Sequence, residues 1–290
     1  MAGSYRGDGW SGNESLLSRL GIAWPALTVR DVNPLLRFVF AIFLTAVSAF
    51  AAEPPLRVGM ELQFPPFEMR EKENGEPSGV SVDLAQALGA KLGRAVEIKN
   101  LPFDGLIPAL KTGGIDLILS SMTATPERAL SIDFSEPYLK NGLCLLVSAK
   151  SNVRSAADLN RAGRVVAVKK ATTGHLYATQ NCKQARVLVL DKETACVLEV
   201  AQGKADAFIY DQIGIFENWR HNREATRPVL EPFREESWAI GLKKGSDELR
   251  GKVNAFLAEF RQSGGFDRLA EKWLAEQKAE FKQRGVPFVF

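Results

Sequence analysis

From Leu56 onward the chain alternates short apolar runs with segments patterned at helical spacing, and this alternation constrains the fold most tightly. Short runs bounded by turn residues are strand-like, and strands separated by helices build an α/β sheet. Leu56–Met60 reads as a first strand. A helix over 82–92 follows, with Leu84, Ala87, Leu88 and Leu92 at helical spacing, opening at Asp83 and stopping at Gly93. Residues 96–99 and 115–119 read as the next strands, with a short helix over 106–111 between them. The apolar run 143–148 begins a new unit, whose strands are 165–169, 185–190 and 207–210. Helical segments from Gly174 and over 193–202 lie between those strands. Residues 238–243 return as a strand, and helices over 249–261 and 266–278 close the chain. The stripe of Phe266, Leu269, Ala270, Trp273 and Leu274 on the last helix is one for packing, not for a cofactor.

Residues 1–51 stand outside this pattern. Arg37 precedes an uncharged stretch over 38–50, followed by Ala49-Phe50-Ala51 and then Glu53-Pro54-Pro55. A basic flank, a short apolar core and an Ala-x-Ala site are the marks of a cleaved secretory signal peptide. The stretch falls short of the roughly 20 apolar residues that a membrane-spanning helix needs. Residues 1–30, rich in Gly and Ser, are longer than an ordinary leading region and fit a mis-assigned translation start. Removing residues 1–51 takes away four Arg and three acidic residues, leaving 33 basic against 31 acidic groups on 239 residues. That near-neutral balance has no basic stripe and excludes nucleic acid as a natural partner. A chain of this length lies where single cores tend to split in two.

Three cysteines fit an oxidising compartment with one possible bridge. Cys182 and Cys196 flank the strand-like segment 185–190, and a disulfide there would close a loop of about 15 residues, contributing roughly 3 kcal/mol. The other reading is that all three thiols are reduced and packed. Cys144, in an apolar run, reads as a buried free thiol. Neither Cys182 nor Cys196 has a His at ligand spacing, so no zinc site is expected, and nothing in the chain calls for a cofactor.

Chemistry concentrates in two places. Residues 120–128, Ser-Ser-Met-Thr-Ala-Thr-Pro-Glu-Arg, follow a strand-like run, and Pro126 can take the first turn of a helix, where its missing N–H is harmless. Hydroxyls at a strand end, helix N–H groups with partial positive charge, and the planar fork of Arg128 together suit one carboxylate. Asp211, after the apolar run 207–210, offers the opposite charge for an ammonium. Carboxylate and ammonium are the shared head of an α-amino acid. Taken singly, such an Arg is as readily a surface or ion-paired residue, and such an Asp a turn or N-cap residue.

Further motifs connect the two. Phe64-Pro65-Pro66-Phe67-Glu68, Gly79-Val80-Ser81-Val82-Asp83-Leu84, Phe103-Asp104-Gly105-Leu106, Asp133-Phe134-Ser135-Glu136-Pro137-Tyr138, Gly203-Lys204-Ala205-Asp206 and Gly241-Leu242-Lys243-Lys244 occur in order around them. With residues 120–128, this series resembles the periplasmic solute-binding proteins of family 3, the polar amino-acid receptors of ABC importers, over roughly residues 56–277. The resemblance implies a two-lobe periplasmic-binding-protein fold of type II, with crossovers near 139–146 and 233–240 and the ligand between the lobes. The first lobe would comprise 56–141 plus 238–285, and the second 142–237. The resemblance also implies a monomeric periplasmic receptor that hands its ligand to permease subunits in the inner membrane.

The site residues implied are these. Phe64 and Phe103 would sandwich the ligand's side chain, where a cation can lie over a ring. Arg128 would take the α-carboxylate, helped by Thr123 and Thr173, while Ser121 and Asp211, with Ser120 nearby, would take the ammonium. Ala171 stands where the family often has Gly. Glu61 falls where the lysine and arginine receptors carry an acidic residue. A buried unpaired carboxylate is costly, so a Glu61 facing the cleft is expected to meet a cation on the ligand, which favours a polar and in particular a basic amino acid. The alternative is a cyclohexadienyl (arogenate or prephenate) dehydratase, since some relatives act as such. That chemistry needs a positioned general acid. His175 and His221 are the only histidines, and no Ser-His-Asp or Cys-His pairing or phosphate loop is evident, so a receptor rather than an enzyme is expected.

Overall fold

The structure, a computed structural model, describes residues 53–72 and 74–286, so the expected signal peptide lies outside the described residues. β1 (Leu56–Met60) is followed by two short strands, β2 (Gln63–Phe64) and β3 (Glu68–Met69). α1 (Val80–Leu92) starts two residues before the expected position because Gly79, at φ 120°, turns the chain directly into it; it stops on left-handed Gly93. Then come β4 (Val96–Asn100), α2 (Phe103–Thr112), β5 (Leu117–Ile118), α3 (Pro126–Ala129) and β6 (Ile132–Phe134). The second unit runs β7 (Leu139–Ser148), β8 (Val165–Lys169), α4 (Thr173–Asn181), β9 (Arg186–Leu190), α5 (Glu193–Ala201), β10 (Ala207–Asp211), α6 (Gln212–His221) and β11 (Thr226–Trp238). β12 (Gly241–Lys243), α7 (Asp247–Gln262), α8 (Gly265–Trp273) and α9 (Ala275–Gln283) complete the described chain.

Among the described residues, ten strands form two five-stranded sheets, in the orders β4-β1-β5-β12-β6 and β11-β7-β10-β8-β9, and β2 and β3 pair as a two-stranded one. Each five-stranded sheet is mixed: β1 is parallel to β4 and β5 and β8 to β9 and β10, while β12 and β7 run antiparallel to their neighbours. Two α/β lobes result. The chain passes between them in β7 and returns in β11. There Leu139–Leu143 pairs with Arg234–Trp238, and a register shift separates this stretch from the ladder that ends at Val229.

Two details depart from the sequence reading. The strand expected over 238–243 is split, because β11 ends at Trp238 and β12 begins at Gly241. The helix expected over 266–278 breaks at Leu274, whose backbone (φ −127°, ψ 16°) is not helical; the turn brings Phe281 to 4.8 Å from Phe216. Of the two readings left open for Cys182 and Cys196, the structure has the unbridged one, and the three cysteines are buried free thiols. Successive side chains in a strand point to opposite faces. Val166, Val168 and Ile209 pack with Cys182 on one face of the second sheet, and Ala167 and Phe208 pack with Cys196 on the other. With the sheet between them, the two cysteines lie beyond the roughly 7 Å Cα separation that a bridge tolerates.

Candidate functional site

The cavity between the lobes is lined by all nine residues singled out above: Glu61, Phe64, Phe103, Ser120, Ser121, Thr123, Arg128, Thr173 and Asp211. Six further residues with no assigned role, Glu68, Leu143, Thr172, Tyr210, Glu236 and Trp238, also line it.

Arg128 is positioned by the turn that the sequence suggested. Thr125 caps α3, its hydroxyl accepting from the Arg128 N–H, and Pro126 opens the helix. The Arg128 guanidinium donates to the Thr123 carbonyl at 2.6 Å and, across the cleft, to the Ala171 carbonyl at 2.9 Å. Ala171 holds a left-handed backbone, φ 62°, a conformation that a glycine adopts without strain. Burial brings the Arg128 pKa down to about 10, against the neighbouring charges of Glu236 and Glu127.

From the second lobe, Thr172 caps α4 and Thr173 is its first residue. Gly174 lets this helix end lie against β10, since a Cβ there would come within 2.5 Å of the Ile209 carbonyl oxygen. Asp211 caps α6, its Oδ1 accepting from the Gly214 N–H at 2.8 Å. Burial pushes its carboxyl up to about 6. The cap role open to an Asp at such a position and its place in the cleft therefore coincide.

Phe64 stacks on Phe67 at 5.4 Å and meets Tyr210 and Trp238 edge-on at 5.8 and 5.9 Å. Phe103 carries two cations over its ring, Arg128 Cζ at 5.5 Å and Lys169 Nζ at 5.6 Å.

Two placements change the reading of the site. Glu61 does not wait for a ligand cation. Its carboxylate is ion-paired and hydrogen-bonded to Lys169, the last residue of β8, in a bridge between the lobes. The side chains are 9% and 3% exposed, so water does little to weaken the pair. Ser120 and Ser121 do not turn their hydroxyls to Asp211. Both donate to Glu68, at 3.3 and 3.0 Å, joined by Ser81 at 2.6 Å, and the Ser120 oxygen accepts from the Glu61 N–H.

Lys169 was hidden because it ends an apolar strand, where a lysine normally reaches water. Glu68 lay within a quoted motif, and its signal was its position just past Phe67. Burial pushes the Glu68 carboxyl up to about 8 despite its three hydroxyl donors, and Glu193 to about 7 with Asp211 nearby.

Glu68→Gln is expected to change how stability depends on pH. The folded pKa of about 8 lies above the ordinary 4.5, so the folded protein holds a proton that the unfolded chain releases. This contribution is fully present below the unfolded value and is lost as pH rises through the folded one. Melts between about pH 5 and 8 should show the wild type losing stability relative to the variant as pH rises, by up to about 1.4 kcal/mol per pH unit. A difference that stays constant with pH would remove the buried proton from Glu68.

Comparison with known proteins adds to this geometry. Residues 56–276 match the family model described as bacterial extracellular solute-binding proteins, family 3. The ABC transporter glutamine-binding protein of Bacillus subtilis is 28% identical over 217 residues, covering 74% of this chain and 79% of that protein. The L-arginine-binding protein of Pseudomonas aeruginosa is 29% identical over 245 residues, covering 81% and 93%. An ancestral arginine-binding protein solved with glutamine bound is 35% identical with a TM-score of 0.70, over 76% of this chain and 97% of that one.

Proposed function

The chain belongs to the bacterial extracellular solute-binding proteins of family 3, and from that premise we propose that it is the amino-acid-binding component of an ABC importer. We infer further that its ligand is a polar amino acid whose side chain ends in a neutral group that both donates and accepts, such as an amide. The observation that carries this reading is the pairing of Glu61 with Lys169. A carboxylate beside an ammonium offers one acceptor and one donor. An amide NH2 can donate to the first while its carbonyl accepts from the second. A cationic end would bring a second positive charge beside Lys169, which already neutralises Glu61.

At the head of the ligand, Arg128, Thr123 and Thr173 take the α-carboxylate and Asp211 the ammonium, while Phe64 and Phe103 flank the stem. These groups come from both lobes and converge only when the lobes meet, so the ligand stabilises the closed form. The cavity of about 40 Å³ holds no more than a few waters, and entry accordingly requires the lobes to separate. The protein acts in the periplasm as a monomer, once its signal peptide is removed, and presents the closed form to permease subunits.

The test is a thermal-shift screen of the mature chain against the standard amino acids, ornithine, citrulline, cystine and prephenate, since a ligand of the native state raises its melting temperature. Glutamine or citrulline should give the largest shift, with arginine and lysine well behind. The same acid without its amino group should give none, because Asp211 is left unpaired. A largest shift from a cationic amino acid would overturn the amide reading. A shift from prephenate would instead favour the dehydratase.

A further inference from the structure

The hydroxyls of Thr123 and Thr173, one from each lobe, both donate to the same atom. That atom is Oε2 of Glu236, on the returning crossover β11, at 2.9 and 2.8 Å. These are the two hydroxyls assigned above to the ligand's carboxylate, and Arg128 is close enough to act on the Glu236 charge. A threonine hydroxyl has one proton to donate. Neither can serve Glu236 and a second carboxylate at once.

Glu236 is not well satisfied where it sits. Its other oxygen, Oε1, is buried without a hydrogen-bond partner among the described residues, and Arg234 Nε approaches it only to 3.8 Å. The side chain is 4% exposed, and a half-satisfied carboxylate at that depth raises the energy of the arrangement. Thr123 and Glu236 also border a second, larger cleft of about 670 Å³, which Lys140 and Arg234 line as well. A carboxylate leaving the threonines can turn there to water and to two cations.

We propose that Glu236 is a built-in occupant of the carboxylate subsite, which the α-carboxylate of the ligand displaces on binding. The proposal rests on reading Arg128, Thr123 and Thr173 as that subsite. It makes Glu236 a selectivity element: only a ligand bringing its own carboxylate replaces what the threonines lose. An amine lacking one would leave Glu236 in place or leave the hydroxyls unpaired.

The test uses calorimetric titration of wild type, Glu236→Gln and Glu236→Ala with L-glutamine, L-arginine and their α-carboxamides. Glu236→Gln preserves size and removes the charge; Glu236→Ala removes the occupant whatever its charge. Both variants should bind the amino acids more tightly, by about tenfold, equivalent to about 1.4 kcal/mol, with the carboxamides unchanged. Weaker binding by both variants would make Glu236 a latch between the lobes and overturn the proposal. An equal gain for the carboxamides would overturn it too, since no carboxylate would be involved. Amino-acid binding by wild type with no gain in either variant removes Glu236 alone. If neither amino acid binds any of the three proteins, the proposed function falls with it.

Discussion

Arg128→Ala is expected to weaken amino-acid binding by at least about a hundredfold while the folded protein persists. Two charge-assisted hydrogen bonds to a carboxylate contribute about 1.5–3 kcal/mol each. The same guanidinium also ties Thr123 to Ala171 across the cleft, so its loss weakens lobe closure as well. Both effects lower affinity. Arg128→Lys should retain part of it, because a lysine keeps the charge but not the fork. Titration calorimetry of the variants, with circular dichroism to establish that each is folded, measures the effect. Undiminished binding by folded Arg128→Ala would sink the proposed site.

Lys169→Met is expected to invert selectivity. It leaves Glu61 facing the closed cleft without a partner, and breaking a buried pair in this way costs about 3–5 kcal/mol. Glu61 lies in one lobe and Lys169 in the other, so opening the lobes hydrates the orphaned carboxylate. The cost therefore falls on closure, and hence on affinity, more than on global unfolding. L-Glutamine should bind about a hundredfold more weakly than to wild type. L-Arginine or L-lysine brings the missing cation and should lose little or gain. Glu61→Gln with Lys169→Met, which removes both charges, should recover part of the neutral-ligand binding. The measurement is the ratio of arginine to glutamine affinity in each protein, and an unchanged ratio in Lys169→Met would disprove the assigned role of the pair.

What the sequence made legible was whatever depends on neighbours in the chain. The turn from Thr125 to Arg128 is encoded by a cap residue, a proline and spacing within one helical turn, and it folds as those residues direct. The alternation of strands and helices was readable for the same reason. Glu236 was not readable, because Arg234-Glu235-Glu236 has the look of a solvated charge run. Its burial follows from pairing with β7 and from two threonines contributed by different lobes. Lys169 was equally obscure: its partner lies 108 positions away in the chain. The cysteines show the opposite case, since their nearness in sequence left a bridge open that the intervening sheet forbids.

The paired crossovers carry one more implication. Had β7 and β11 been two separate tethers, each could twist on its own, and the lobes could slide, roll and tilt. Because Leu139–Leu143 and Arg234–Trp238 are hydrogen-bonded side by side, they behave as a single ribbon, stiff within its plane and compliant only out of it. The register shift between Val229 and Arg234 is a place where such a ribbon bends readily. If the lobes close on a ligand as proposed, such a ribbon reduces their motion to something near one degree of freedom, and ligands of different shape then end in nearly the same closed outline. Under the proposed function, the permease recognises that outline without inspecting the cargo.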